Sequence, residues 1–488
     1  MTVRVRFAPS PTGYPHIGNI RTVVFNWLYA RQQQGTFVLR IEDTDRERYV
    51  DDALHVITDS LSWLGIDYDE GPGVDGDHGP YVQSRRLQLY QDAAETLVRQ
   101  GKAYRCNCSK ERLDAVREAM RAEGKTPMYD GLCRDKPVGA VSQDEPHVIR
   151  LKVPREGSTT FHDVLRGDIA FENALIDDQV LLKSDGYPTY HLAVVVDDHL
   201  MEISHVMRGD DWIPSTPKRI LIYEALGWEP PIYVHVPLVL GPDGRKLGKR
   251  HGATSVDEFR RQGYLPEALL NFLALLGWAP GEGDEQEIFT RDELIARFDI
   301  RRINLSPAVF SYDKLDWMNG VYIRNLSTAE LLERLIPYWA DAGLIPSPVP
   351  VEILRTLEIL VPLVQERLKT LRDVVELTDF VFQEVPVPTL EALMPKNMSA
   401  EQSLEAIRAT QRLLSGLVQF TAEEMEPRMR ALATELGLKA GPLFGIVRNA
   451  VTGKQVSPPL FGSLQAVGRA RTLKRLEVAE RVLTAYLG

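Results

Sequence analysis

Cysteine is scarce in this chain of 488 residues: there are three, and all fall between positions 106 and 133. So few thiols argue against a disulfide framework and make the cytosol the expected compartment. Long apolar runs are missing too. No stretch of about 18 apolar residues occurs, so no transmembrane helix is expected. The opening, Met1-Thr-Val-Arg-Val-Arg-Phe-Ala-Pro, has no signal-peptide core and reads as a strand. Internal repeats and low-complexity tracts are absent. So is Gly-x-Gly-x-x-Gly, which argues against a dinucleotide fold. Positive charge is in deficit: 57 Lys and Arg against 68 Asp and Glu leave −11. That excludes a generally basic nucleic-acid coat.

What is present is ordinary for a globular protein, with 44% hydrophobic and 26% charged residues. The length exceeds one core, so two to four domains are expected. Residues 3–7 alternate as a strand, a Pro/Gly loop follows, and residues 20–31 have helical spacing that ends at Gly35. Phe37–Ile41 closes a βαβ unit. Residues 51–64 and 84–101 read as amphipathic helices. From 103 to about 180 the texture turns to short polar strands and turns, as in an insertion between two halves of a sheet. Strands resume at 180–183, 190–196 and 203–208, completing a doubly wound sheet. From about 255 onward the pattern is helical, with segments at 265–277, 291–298, 328–343, 351–383, 400–417, 421–437 and 463–486.

Four groups of residues carry candidate chemistry. The first is His16 and Gly18 at a helix N-terminus, where free N–H groups suit a phosphate and a missing Cβ lets a nucleotide approach. The bland alternative is a turn histidine. The second is Lys246-Leu-Gly-Lys249-Arg250, after the turn Gly241-Pro-Asp-Gly244. Three cations in five residues resist burial and suit a triphosphate and its leaving group; a solvated basic turn is the alternative. The third is Arg6, Glu42, Tyr190 and Arg208 at strand ends, where ligands of open α/β sheets bind. Two arginines and a carboxylate match two carboxylates and an ammonium, which describes an acidic amino acid. Structural ion pairs are the competing reading. The fourth is Cys106-Asn-Cys108 with Cys133, a three-thiolate zinc nest with Tyr129 or Asp135 as fourth ligand, or else three free thiols. Residues 441–488 add seven basic side chains against two acidic ones. That charge suits either a phosphate backbone or a solvated helix face.

The string Arg6-Phe-Ala-Pro-Ser-Pro-Thr-Gly-Tyr-Pro-His16-Ile-Gly-Asn resembles the first signature of class I aminoacyl-tRNA synthetases, and Lys246–Arg250 resembles the second. Arg40-Ile-Glu-Asp-Thr-Asp45, Ser184-Asp-Gly-Tyr-Pro-Thr-Tyr190, Val196-Asp-Asp-His199 and Trp317-Met-Asn319 resemble the glutamyl branch of bacterial type. The resemblance implies a Rossmann-like α/β catalytic domain with an α+β insertion and an all-α C-terminal region. It places the catalytic halves at 1–102 and 181–254, an acceptor-end insertion at 103–180, a stem-contact domain at 255–325 and an anticodon region at 326–488. It implies glutamate contacts at Arg6, Ala8, Ser10, Glu42, Tyr190 and Arg208, and ATP contacts at His16, Gly18, Asp211, Val239 and Lys249. The catalytic roles fall to His16, Lys246 and Lys249. The Cys-x-Cys…Tyr-x-x-x-Cys spacing matches zinc-binding members.

The sequence departs from the family at Asn19, where a second histidine is common, at Leu247 and Gly248, where Met and Ser are common, and at Val194, which is polar in some relatives. The expected activity is ATP-dependent ligation of L-glutamate to tRNA(Glu) through an adenylate, with Mg²⁺, in the cytoplasm, by a monomer. The alternatives are a glutaminyl-tRNA synthetase, whose rear is expected to be β-rich, and a non-catalytic RNA-binding derivative.

Overall fold

Strand pairing starts at the N-terminus. In the computed structural model, β1 (Arg4–Phe7) and β2 (Thr36–Leu39) run parallel, joined by helix α1 (Ile17–Gln32). The description covers residues 2–488 apart from Thr12, Tyr14, 46–49, Asp51, Asp75, Val138, Gln143 and Asn397; the side chain of Lys249 also lies outside the described residues. The helix does not end at Gly35. It ends at Gln32, Gln34 takes the left-handed conformation (φ 51°), and Gly35 is required because a Cβ there would overlap the Val3 carbonyl.

The chain divides into two compact units, residues 1–259 with 269–311, and residues 260–268 with 312–488. In the first unit, helices α2 (Ala53–Trp63) and α3 (Leu87–Arg99) lead to a three-stranded antiparallel sheet. Its strands are β3 (Ala103–Cys106), β4 (Val148–Leu151) and β7 (Val180–Leu182), with helix α4 (Lys110–Ala122) inserted after β3. A second sheet has the order β6-β5-β9-β8, with β5 (Ser158–Asp163), β6 (Gly167–Glu172), β8 (His205–Gly209) and β9 (Ile232–Val236). Strands β8 and β9 are parallel, whereas β5 and β6 are antiparallel, so the sheet is mixed. The Ser204 amide donates to the Arg4 carbonyl (3.0 Å), which sets β1 beside the start of β8. Strands β5 and β6 lie between positions 103 and 180 yet extend this sheet, through Asp163 opposite Tyr233.

The stretch expected as a strand at 190–196 is instead helix α5 (Tyr190–Leu200), followed after β8 by α6 (Thr216–Leu226). Leu192 to Val196 are buried in an unbroken run, and such a run reads equally as a buried strand or a buried helix.

The second unit is helical around one apolar core that includes Leu331, Leu335, Trp339, Leu357, Leu360, Ile407 and Leu476. Its helix starts follow local rules. Ser327 with Glu330 and Ser399 with Gln402 each form a capping box. Two expected helices are broken. The 351–383 segment divides into Val351–Val364 and Asp373–Phe382, and the Asp373 carboxylate, at the first position of the second helix, accepts from the Lys369 and Thr370 amides in the break. The 463–486 segment divides at Gly468 (φ 84°) into Leu460–Val467 and Arg469–Leu487. Segment 260–268 belongs to this unit through Leu265, which is buried in its core and whose amide donates to Asn319 Oδ1 (2.8 Å).

Candidate active site

The carboxyl ends of β1 and β8 open onto a cavity of about 990 Å³. Arg6, Ala8, Ser10, His16, Glu42, Tyr190 and Arg208 all line it. Gly18, Asp211, Val239 and Lys246 are not among the lining residues.

His16 caps α1. Its Nδ1 accepts from the Gly18 amide (3.1 Å), which leaves the ring proton on Nε2 in the neutral tautomer. Burial, and then the charge of Lys246, hold this imidazole below its ordinary range. The lysine loop folds back as a hairpin on Val239, whose carbonyl accepts from the Leu247 amide (3.0 Å). Lys246 Nζ lies 3.1 Å from Asp211 Oδ2 on the exposed rim. Lys249 opens a short 3-10 turn, Lys249–His251, and its side chain lies outside the described residues. His251 pins the loop: its Nδ1 accepts from the Gly248 amide (3.0 Å), and its Nε2 lies 3.1 Å from Asp243.

Beneath the cavity lies a charge network in which Arg6 and Glu42, expected as glutamate contacts, join Arg40, Asp197 and Asp198, which the motif strings contained without an assigned role. Arg40 has no solvent exposure and reaches Asp198 (2.7 Å) and Glu42 (3.0 Å). Arg6 pairs with the same Asp198 (3.2 Å). Asp197 accepts from Arg86 (2.7 Å), Gln83 (2.9 Å) and Tyr90 (2.8 Å). Burial would push the Asp198 carboxyl up, but the guanidiniums of Arg6 and Arg40 outweigh it and hold it low. Glu42 is the opposite case: burial wins over Arg40 and its carboxyl is raised. A carboxylate short of positive charge at the cavity wall suits an incoming ammonium. Arg208 donates through Nε to His235 (3.1 Å) and through one terminal nitrogen to Thr216 (2.6 Å), and the other terminal nitrogen has no partner. Val194, one turn beyond Tyr190, is buried.

The three thiols come together away from this cavity. Their sulfurs lie within 4.8 Å of one another, and Cys108 and Cys133 are 3.6 Å apart. The Tyr129 hydroxyl lies 3.4 Å from Cys106 and 3.5 Å from Cys108. Tetrahedral zinc with bonds of ~2.3 Å spaces its sulfurs about 3.8 Å apart, so the cluster fits that ion. Asp135 lies elsewhere, paired with Lys152 at the surface (3.2 Å).

Residues 2–317 match the family described as "tRNA synthetases class I (E and Q), catalytic domain", and residues 330–480 match "Anticodon binding domain". A glutamate–tRNA ligase of Dehalococcoides mccartyi is 51% identical, with 98% of this chain and 97% of that protein aligned. The chain belongs to the glutamyl-tRNA synthetase family. A glutamate–tRNA ligase of Treponema denticola is 44% identical over 99% of this chain and 100% of its own length. A crystal structure of a glutamate tRNA ligase from Elizabethkingia meningosepticum, in complex with its amino acid, superposes with a TM-score of 0.88 at 33% identity, covering 99% and 100% of the two chains. The α/β front and helical rear expected from the sequence are those of this synthetase family.

Most of the basic residues counted near the C-terminus are tied to their own unit. Arg469 donates to the Leu417 carbonyl (2.7 Å), and Arg475 to Val451 (2.7 Å) and Gln383 (2.8 Å). Arg471 donates to Val381, Arg448 to Ser457, and Lys454 pairs with Asp379 (2.7 Å). Gln365 is likewise consumed by the carbonyls of Ile323, Arg324 and Leu326. Among the described residues no helix is long and apolar enough to cross a membrane.

Proposed function

We propose that the chain joins L-glutamate to the 3′ end of tRNA(Glu) at the expense of ATP; its relatives carry the name glutamate–tRNA ligase. The observation that carries this reading is the gathering of Arg6, Glu42, Tyr190 and Arg208 on one cavity, next to a helix N-terminus and a lysine loop. Glu42 faces the ammonium, and Arg6 and Arg208 face the two carboxylates, with Ala8 and Ser10 closing the backbone side. ATP lies along His16, Gly18, Asp211, Val239 and Lys249, and Mg²⁺ enters with its phosphates as part of the substrate.

An oxygen of the glutamate α-carboxylate attacks the α-phosphorus, and the bond to the β-phosphate oxygen breaks. This gives glutamyl-adenylate and pyrophosphate. A terminal ribose hydroxyl of the tRNA then attacks the adenylate carbonyl; its proton leaves and AMP departs. No protein nucleophile takes part. Neutral His16 donates through Nε2–H to a phosphoryl oxygen, and Lys246 and Lys249 stabilise the charge that builds on the leaving pyrophosphate. Asp211 holds Lys246 at the rim until then.

The same reading gives residues 103–180 the acceptor end, 255–325 the stem and 326–488 the anticodon. Cys106, Cys108, Cys133 and Tyr129 hold a structural zinc that staples the acceptor-end insertion and supplies no reaction chemistry. The enzyme works as a cytoplasmic monomer. ATP–pyrophosphate exchange with glutamate and tRNA(Glu) tests the activity. Glutamate-dependent exchange is expected, and its absence overturns the proposal.

A further inference from the structure

Helix α6 sets Arg219 behind the cavity wall made by Tyr190 and Trp212. The residue is 1% exposed, and none of its three nitrogens makes a hydrogen bond of good geometry, although the Tyr190 hydroxyl lies close enough to feel it as a donor. Its guanidinium carbon lies 5.0 Å from the Tyr190 ring centre and 5.4 Å from that of Trp212. A guanidinium has five N–H donors, and burying all of them unpaired is costly. Cation–π contact with two rings offsets part of that cost. The nearby acids do not pair with it: Glu42 is held by Arg40, and Asp198 by Arg40 and Arg6.

The charges around the cavity are therefore unbalanced. Among the buried groups, Arg6, Arg40, Arg208 and Arg219 face Glu42, Asp198 and, through His235, Asp163, while Arg86 and Asp197 cancel beside them; Lys183, Asp45 and Asp185 stand on the open side of the cavity. One positive charge remains in excess among these buried groups. An amino acid with two carboxylates and one ammonium carries a net negative charge and reduces that excess; its side-chain amide carries none.

We propose that Arg219 is a positioning residue for substrate specificity: acting through Tyr190, it favours a side-chain carboxylate over the corresponding amide. The guanidinium on the ring face draws electron density from the phenol, so the Tyr190 hydroxyl becomes a stronger donor toward an anionic oxygen in the cavity. Burial raises the Tyr190 phenol, and Arg219 is the largest influence opposing it. Val194 offers no polar group on the same helix, which leaves more of the discrimination to this pair. The proposal rests on the cavity being the glutamate site.

The test is ATP–pyrophosphate exchange with tRNA(Glu) by wild type, Arg219→Met, Arg219→Lys and Tyr190→Phe, singly and combined. The readouts are KM for glutamate, glutamine and ATP, together with melting temperature. Arg219→Met should raise the glutamate KM by roughly 10- to 100-fold and cut the preference for glutamate over glutamine by about 10-fold or more, with ATP KM within about twofold. Its melting temperature should hold or rise, because an unpaired buried charge is gone. Arg219→Lys should lie between, and carries the test alone if the methionine variant does not fold. In a Tyr190→Phe background the substitution at 219 should lose its effect on glutamate. An unchanged glutamate KM, or equal losses for glutamate and ATP with a lowered melting temperature, overturns the proposal. Wild type without glutamate-dependent exchange overturns the glutamate reading itself instead.

Discussion

Arg40 and Trp339 are both fully buried, in different units and in opposite company. Arg40 has Glu42, Asp197 and Asp198 within 4 Å, whereas Trp339 lies in a core of leucines, valines and phenylalanines and meets one hydroxyl, that of Thr378 (2.8 Å). The contrast extends across the two units. In the second, Arg475 is the only buried charged side chain among the described residues, and it is satisfied by carbonyls. In the first, arginines and aspartates are buried under the cavity floor. The helical unit can rest on apolar burial. A unit that must hold a small charged substrate needs fixed charges in place beforehand, and their desolvation has to be met by mutual pairing.

The comparison can be broken most decisively at its centre. Arg40→Ala leaves Asp198 and Glu42 with less compensation and should destabilise the first unit by about 3–5 kcal/mol. Urea unfolding would check this, and a loss under about 1 kcal/mol would mean the network is not structural. Lys246→Ala should do the reverse. It lies on the rim, so stability should change by less than about 1 kcal/mol, while exchange activity falls about 100- to 1000-fold. Activity near wild type would remove Lys246 from the phosphate chemistry.

Acid should then separate the units. All ten histidines lie between positions 16 and 251. Burial, then the charges of Arg219 and Lys218, hold His191 down to about 3. Below its unfolded value of ~6.5 the unfolded chain binds the proton and the folded one does not. Stability is therefore flat above ~6.5 and falls by about 1.4 kcal/mol per pH unit below it from this residue. His235 is also held low by burial and adds in the same direction. Unfolding of wild type and His191→Gln from pH 7 to 5 measures the slope; a slope equal in both assigns the acid sensitivity elsewhere. The smallest effect concerns metal. Cys108→Ser should take zinc from about one per chain to none by metal analysis, with adenylate formation close to normal. Wild type purified without zinc would leave three thiols and a phenol.

The parts of this molecule that could be read from sequence are those where a local rule decides the outcome. The helix after Pro15-His16 depends on residues a few positions apart, and the cysteine cluster on three thiols that all fall between positions 106 and 133. The charge network does not: Arg40 and Asp198 are 158 positions apart. Apart from the motif strings that held them, each was visible as a charge inside an apolar run, Phe37-Val-Leu-Arg40-Ile and Val-Val-Val196-Asp-Asp198. That position is a signal for a buried pair, although it does not name the partner. Arg219 gave less still, since an arginine among Ile and Leu on a helix looks like an amphipathic edge. Helix α5 was misread because the unbroken apolar run Leu192-Ala-Val-Val-Val196 gives neither a period of two nor one of 3.6. The broken helices at 365–372 and 468 were hidden because the apolar pattern continues past each break.

Segment 260–268 has a consequence for how the protein is made. It emerges from the ribosome with the first unit, but Leu265 finds Asn319 and its apolar neighbours only when the second unit follows. At ~5–20 residues per second, synthesis of residues 312–488 takes roughly 10–35 s. During that interval a fragment ending near Ser311 carries Leu265 and Ala268 without their core. The two units are thus neighbours in translation as well as in sequence, and shortening the gene at the visible boundary would leave the earlier product waiting for a partner that never arrives.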